Sequence, residues 1–241
     1  MNYCYRDIAQ MVDHSLLNPA LTEAELEVGC RLARRYEVAS VCIQPYYLAR
    51  CAELLQGSGV APSTTIGFPH GGHATPTKLA EVERALTDGG TELDMVINIG
   101  KARSGDWEYV KQEIKMLTSA THAGGAKIKV IFENAYLDDA AKIRLCEICG
   151  EIGVDWVKTS TGYAPSGATL ADVRLMRRHS PDHVQVKAAG GVRTLDALLE
   201  MRAIGATRIG ASATAAILEE CRQRLGLPPE ARPVELTTSG Y

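Results

Sequence analysis

A lysine that ends an apolar run and opens a hydroxyl-rich turn invites a chemical question. Residues 154–162 read Val-Asp-Trp-Val-Lys-Thr-Ser-Thr-Gly, so Lys158 falls where a buried strand would give way to a loop. A cation there either snorkels to water on its apolar stem or works as an amine. Lys187 has a similar setting, in Val186-Lys187-Ala188-Ala189-Gly190-Gly191, and Asp94 lies within Leu93-Asp94-Met95-Val96-Ile97. Asp94 with one lysine would read as a structural ion pair. With two lysines there is surplus positive charge, which a structural site has no reason to keep.

The surplus has a chemical use. A free lysine titrates near ~10.4 and is not nucleophilic at neutral pH. A neighbouring ammonium and desolvation both disfavour its charged form. Lowering the pKa by roughly three units takes about 4 kcal/mol of differential interaction, which burial beside a like charge can supply. The neutral amine can then attack a carbonyl. The resulting iminium draws electrons from an adjacent carbon–carbon bond, while Asp94, directly or through a water, moves the proton of a substrate hydroxyl. Glycines add a grip for an anion. Gly190-Gly191-Val192 follows one apolar run, Gly210-Ala211-Ser212 ends another and opens the last helix, and Thr161-Gly162 follows Lys158. Bare N–H groups and a helix N-terminus at such loops suit a phosphate.

The elements that must position these residues alternate regularly. Strand-like runs rich in Val, Ile and Thr fall at 11–15, 38–43, 64–68, 92–97, 128–133, 155–159, 184–188 and 207–211. Helical stripes and caps lie between them. Thr22-Glu23-Ala24-Glu25 is a capping box. Thr75-Pro76 starts a helix carrying Leu79, Val82 and Leu86. Asp106 precedes Trp107, Val110, Ile114 and Leu117, and Asp138, Thr169 and Thr194 are further N-caps. Gly89-Gly90, Gly150 and Gly205 read as helix stops. Further helices run over about 45–56 and 212–225. Eight βα units predict an α/β fold, a single-domain (β/α)8 TIM barrel over residues 1–227 with a tail at 228–241. The first strand is followed by Leu16-Leu17-Asn18-Pro19, not by a dinucleotide-binding glycine fingerprint. In such a barrel the active site lies at the C-terminal strand ends, where the two lysines and Asp94 fall.

Composition narrows the partners. The chain has 241 residues, 46% hydrophobic and 23% charged, with a formal net charge of −3. No basic stripe points to nucleic acid, and no apolar run is long enough to span a membrane. The N-terminus lacks the layout of a signal peptide, so a cytoplasmic protein is expected. Seven cysteines, an odd number in apolar segments, read as reduced thiols. Cys146-x-x-Cys149 falls in a helix and reads as core, and His70-Gly71-Gly72-His73 as a surface loop. No metal site is expected.

Several long segments resemble the signature stretches of the deoxyribose-phosphate aldolase family, the class I aldolases of deoxyribose catabolism. These are Lys158-Thr159-Ser160-Thr161-Gly162, Lys187 through Arg193, Glu92-Leu93-Asp94-Met95-Val96, Asp13-His14-Ser15-Leu16-Leu17, Thr65-Ile66-Gly67-Phe68-Pro69 and Arg208-Ile209-Gly210-Ala211-Ser212. The resemblance implies cleavage of 2-deoxy-D-ribose 5-phosphate to glyceraldehyde 3-phosphate and acetaldehyde, with no metal or other cofactor. By it, Lys158 is the Schiff-base lysine, Lys187 the lysine that perturbs it and Asp94 the aspartate that handles the C3 hydroxyl proton. Gly162, Gly190, Gly191 and Ser212 are phosphate-loop positions, with Thr161 and Gly210 beside them. Asp13 is an aspartate near Lys187, Cys42 a thiol near the substrate, and Tyr241 the tyrosine of a tail that assists proton transfer. Tyr163 and Ala213 depart from the lysine and second serine of some members, which weakens the phosphate grip. The partners implied are small phosphosugars and aldehydes. A homodimer is in keeping with the family, although the sequence itself leaves oligomeric state open. Two other readings stand beside this one: a different phosphosugar aldolase or isomerase on the same barrel, and a non-catalytic metabolite-binding barrel.

Overall fold

Strands that are apolar on both faces need cover on both sides. In the computed structural model, which describes residues 3–230, they obtain it by closing into a parallel barrel in chain order. The strands are β1 (Val12–Leu16), β2 (Ser40–Ile43), β3 (Ala61–Ile66), β4 (Glu92–Val96), β5 (Lys127–Ile131), β6 (Trp156–Lys158), β7 (Gln185–Ala189) and β8 (Ala206–Ala211), and β8 pairs back onto β1. Around them lie α1 (Tyr5–Ala9), α2 (Glu23–Tyr36), α3 (Leu48–Leu55), α4 (Thr75–Thr87), α5 (Ile99–Arg103), α6 (Trp107–Ala123), α7 (Asp139–Ile152), α8 (Leu170–His179), α9 (Leu195–Ala203) and α10 (Thr214–Arg224).

All eight expected strands form, with ends shifted by up to three residues. The short helices α1 and α5 have no counterpart in the pattern, because five residues are too few to show a helical period. Thr22 and Glu25 make the capping box, and Asp106, Asp138, Thr169 and Thr194 each accept a backbone N–H at a helix start.

Three local expectations fail for packing reasons. Ala74, not Thr75, is the N-cap of α4, and the Thr75 hydroxyl turns to the Tyr109 hydroxyl at 3.1 Å. Gly150 lies inside α7, where its bare Cα lets the Pro181 ring approach; a Cβ would stand 2.8 Å from Pro181 Cδ. The helix stops three residues later at Gly153, whose φ of 79° suits glycine. The buried stripe of α4 is Lys78, Val82 and Ala85, with Leu79 and Leu86 only partly covered. Lys78 turns inward because its ammonium has partners there. Its Nζ donates to Glu113 Oε1 at 2.9 Å and to the Val96 carbonyl at 2.8 Å, while Glu113 Oε2 accepts the Asn98 N–H at 2.9 Å. This fully buried pair ties α4 and α6 to the end of β4.

Alternation then decides what fills the barrel. Register pairs Asp13 with Ser40, Cys42 with Ser63, Thr65 with Asp94, Asp94 with Lys129, Lys129 with Trp156, and Lys158 with Lys187. Paired residues on parallel strands share a face, so these side chains all point inward. An irregularity between β7 and β8 sets Val186 opposite Ala206 but Lys187 opposite Arg208. The extra residue on β8 is Thr207. Arg208 lies on the face of Gly210, which pairs with inward-facing Asp13, so its charge enters the barrel. The interior of most such barrels is branched aliphatic, whereas here it is largely polar.

Residues 228–230 begin the tail on the flank of α10, where Arg222 Nε donates to the Pro228 carbonyl at 2.8 Å. Tyr241 lies outside the described residues.

Candidate active site

Asp94 is the hub of the interior. Its Oδ2 accepts Lys158 Nζ at 2.8 Å and Lys187 Nζ at 2.7 Å, and its Oδ1 accepts Lys129 Nζ at 2.8 Å. Lys187 also meets Asp13 Oδ2 at 2.5 Å. Lys129 meets Glu92 Oε2 at 2.7 Å, and Arg208 bridges Asp13 and Glu92, with Nε donating to Asp13 Oδ1 at 2.7 Å. Trp156 lies among these cations, its ring 5.8 Å from Lys129 Nζ and 5.2 Å from the Arg208 guanidinium carbon. The sequence brought together one acid and two lysines. The structure adds Glu92, Lys129 and Arg208, and gives Asp13 a central place. Their signal was the strand period: Glu92 lies two before Asp94, and Lys129 and Arg208 interrupt apolar runs.

Three carboxylates (Asp13, Glu92 and Asp94) therefore face four basic side chains (Lys129, Lys158, Lys187 and Arg208), all buried. If one of the four is neutral the cluster balances, and Lys158 is the one that the surroundings select. Burial lowers its pKa and the Lys187 ammonium adds to this, against an opposing pull from Asp94. Burial would lower Lys187 as well, but Asp13 and Asp94 outweigh it and hold Lys187 above the usual lysine range. Lys129 and Arg208 are raised in the same way by their acid neighbours. Burial works against ionised Asp94, yet the three lysines keep its carboxyl well below the ordinary range. The site thus holds one amine suited to attack on a carbonyl beside an ammonium that stays charged.

The arrangement fixes the sign of a pH effect. Only a neutral amine can attack a carbonyl, so the lowered pKa of Lys158 extends any such reactivity to lower pH. Lys187→Met removes the like charge and leaves more of Asp94 to Lys158, which raises the Lys158 pKa. The acid limb of the pH–rate profile for amine attack should move to higher pH; a limb that stays in place would refute the coupling.

The glycine positions gather at the same mouth. Gly190 packs against the loop after β6 backbone to backbone: its Cβ would stand 2.8 Å from Gly167 Cα and 3.7 Å from Gly162 Cα, and its φ is +87°. The Ala168 N–H donates to the Ala189 and Gly190 carbonyls at 3.0 Å, which joins the two loops. Gly191 follows in the open. Gly210 lies inside β8, where a Cβ would meet Ala189 Cβ at 3.0 Å and Lys187 Cε at 3.5 Å. Ser212 is exposed two residues ahead of α10. The start of that helix is tied to β1 through a 2.8 Å contact between His14 Nδ1 and Thr214 Oγ1.

Over the ends of β1 to β3 lies a cavity of ≈ 340 Å³, walled by Leu17, Gln44, Thr65, Phe68 and Tyr163 among others. Tyr163 spans it, donating its hydroxyl to the Leu17 carbonyl at 2.6 Å and setting its ring edge-on to Phe68 at 5.4 Å. Cys42 faces inward and is buried; burial and the nearby Asp94 push its thiol up, away from the reactive thiolate. Thr161 is buried and held by Glu133, which the sequence reading did not single out. His73, in the loop read as surface, has Glu81 Oε1 3.8 Å from its Nδ1. Cys146 and Cys149 are buried in α7.

A closed (β/α)8 barrel with a buried cluster of lysines and carboxylates in its interior has the architecture of an enzyme whose active site lies at the C-terminal strand ends. Residues 8–219 match the family model of the DeoC/LacD family aldolases, and the chain belongs to that family. A deoxyribose-phosphate aldolase of Rhodopirellula baltica is 62% identical over 239 residues, spanning 99% of this chain and 98% of its own. The deoxyribose-phosphate aldolase of Caldanaerobacter subterraneus is 44% identical over 219 residues, spanning 90% and 95%. Among solved structures, the tetrameric deoxyribose phosphate aldolase of Aeropyrum pernix superposes with a TM-score of 0.85 at 30% identity, over 92% of this chain and 93% of that one.

Proposed function

We propose that the protein is a metal-independent class I aldolase that cleaves 2-deoxy-D-ribose 5-phosphate to D-glyceraldehyde 3-phosphate and acetaldehyde through a Schiff base on Lys158. The reading rests above all on the charge balance around Asp94, in which Lys158 alone has its ammonium disfavoured. The neutral amine adds to the C1 aldehyde of the open-chain sugar, and with one proton taken up from solvent the carbinol oxygen leaves as water, giving a protonated imine. The C3 hydroxyl passes its proton to a water, which passes one on to Asp94, so that the carboxylate is the end of the relay. The C2–C3 electron pair moves into the iminium, glyceraldehyde 3-phosphate leaves, and an enamine remains on Lys158. Protonation at C2 and hydrolysis then release acetaldehyde and the free amine. Lys187 keeps its proton throughout and Asp13 holds it in place. Gly162, Gly190, Gly191, Gly210 and Ser212, with Thr161, form the phosphate end of the site. Cys42 and Tyr241 have supporting places.

The barrel of residues 1–227 acts as one catalytic domain, with 228–241 as its tail. Free, mostly buried thiols are in keeping with a reducing cytoplasm. Among the described residues no helix is long and apolar enough to cross a membrane. The assembly is a homo-oligomer, a dimer by resemblance to the family and a tetramer by likeness to the Aeropyrum enzyme; light scattering decides between them. For the chemistry, borohydride reduction with acetaldehyde should leave a covalent adduct on the peptide bearing Lys158. No adduct on that peptide under turnover conditions would overturn the assignment.

A further inference from the structure

Glu133 follows β5 by two residues and is unusual in several respects. Its φ is 59°, and it is one of two non-glycine residues with positive φ among the described residues. The other, Glu37, is the residue that ends α2, where left-handed geometry is ordinary. Glu133 is 2% exposed and makes no ion pair among the described residues. Its carboxylate is met by a single residue: Oε1 accepts the Thr161 N–H at 3.1 Å, and Oε2 accepts the Thr161 hydroxyl in a short contact. Burial pushes its pKa up, against those bonds and the charge of Lys158.

Backbone strain of this kind persists only where the surroundings enforce it, and it clusters at functional sites. Here the purpose is visible in the ladder. Beyond the strand ends, the Phe132 N–H donates to the Lys158 carbonyl and the Asn134 N–H to the Thr159 carbonyl, both at 3.0 Å. The left-handed turn at Glu133 falls between these two ties and delivers its carboxylate to Thr161, three residues past Lys158. The Thr161 hydroxyl in turn accepts the Tyr163 N–H at 3.0 Å. Tyr163 ends on the Leu17 carbonyl across the mouth. The segment from Lys158 to Tyr163 is thus pinned at one end by its strand and at the other by Leu17. Glu133 is the fixed point between them.

The geometry points to Glu133 as a positioning residue that sets the height of the 159–163 loop over Lys158, and through it the seat of the phosphate-bearing end of the substrate. The inference rests on the aldolase reading of this barrel. An ordinary loop anchor would lower stability alone. A positioning role separates binding of the long substrate from chemistry on a short one.

Glu133→Ala should raise KM for deoxyribose 5-phosphate by about ten- to a hundredfold, the range expected for lost hydrogen bonds to a charged acceptor, with a smaller change in kcat. Borohydride trapping of acetaldehyde on Lys158 should stay within about twofold of the parent rate, because acetaldehyde does not reach the loop. Glu133→Gln keeps the shape and one acceptor oxygen, and should recover most of the loss. An unchanged KM in folded Glu133→Ala would overturn the role. So would a trapping rate that falls as far as kcat/KM, which would make Glu133 a participant in the chemistry. Should Glu133→Ala not fold, Thr161→Val removes one of the two donors without touching the strained backbone. It should raise KM in the same direction, and an unchanged KM there overturns the role equally. If the unsubstituted protein itself traps no acetaldehyde, the aldolase reading fails first, and that result is read without any Glu133 variant.

Discussion

Lys158→Met should lose at least about 10⁴-fold in turnover, leave no borohydride-trapped adduct anywhere in the chain, and yet be as stable as the parent or more so. The first two effects follow from removal of the nucleophile, since no other amine in the cluster is free to replace it. Lys187 is held as an ammonium between Asp13 and Asp94, and Lys129 is held by Asp13, Glu92 and Asp94. The third effect follows from linkage. Lys158 is a buried base with a lowered pKa, so at a given pH between its folded and unfolded values the unfolded chain binds more protons. Parent stability therefore rises with pH through that window, and below it the full penalty of a buried ammonium is present. Methionine has nearly the same length and no charge, so the penalty disappears, while Asp94 keeps Lys129 and Lys187 as partners. Urea denaturation across neutral and mildly alkaline pH should show a flatter stability profile for Lys158→Met. Retained trapping, or a marked stability loss at neutral pH, would show that Lys158 is a structural cation.

Much of this site was legible in the sequence because strand period and strand ends are local properties. Lys158, Lys187 and Asp94 were placed by the apolar runs around them and by the rule that barrel sites lie at C-terminal strand ends. The remaining charges of the cluster are set by pairing between strands, which no local stretch of sequence displays. Arg208 shares the face of Gly210, but the carboxylates that it bridges, Asp13 and Glu92, stand on strands far away in sequence. Lys129 and Glu92 carried a signal in their alternation, but their partners are one or more strands away. Asp13 was known by resemblance alone; its contacts with Lys187 and Arg208 depend on closure of β8 onto β1. The inward turn of Lys78 rotated the stripe of α4 by one residue. An aliphatic period cannot show a lysine that is buried because Glu113 and the Val96 carbonyl await it. Glu133 was hidden for a similar reason, since a left-handed glutamate looks like any loop glutamate until Thr161 is found above it.

Asp94→Asn should show the converse of Lys158→Met: amine attack preserved and carbon–carbon cleavage lost. Asp94 bears on the two steps in different ways. It raises the Lys158 pKa by attraction, and in the proposed reaction it takes up the C3 hydroxyl proton through a water. An amide in its place removes the attraction and leaves the Lys187 ammonium, so Lys158 becomes more readily neutral. Trapping of acetaldehyde, which needs only the amine, should continue and reach its plateau at lower pH than in the parent. Turnover of deoxyribose 5-phosphate should fall by roughly 10²–10⁴-fold, the usual worth of a positioned general base. Stability should fall by about 3–5 kcal/mol, because Lys129 and Lys187 lose a shared counter-charge deep in the barrel. Measurement at low temperature with a stabilising osmolyte keeps enough folded protein for both assays. The two assays must diverge. If trapping and turnover fall together in folded Asp94→Asn, the carboxylate serves to hold Lys158 rather than to move a proton. If they diverge as expected, imine formation and bond cleavage are assigned to different residues of one buried cluster, with Lys158 forming the bond to substrate and Asp94 governing its cleavage.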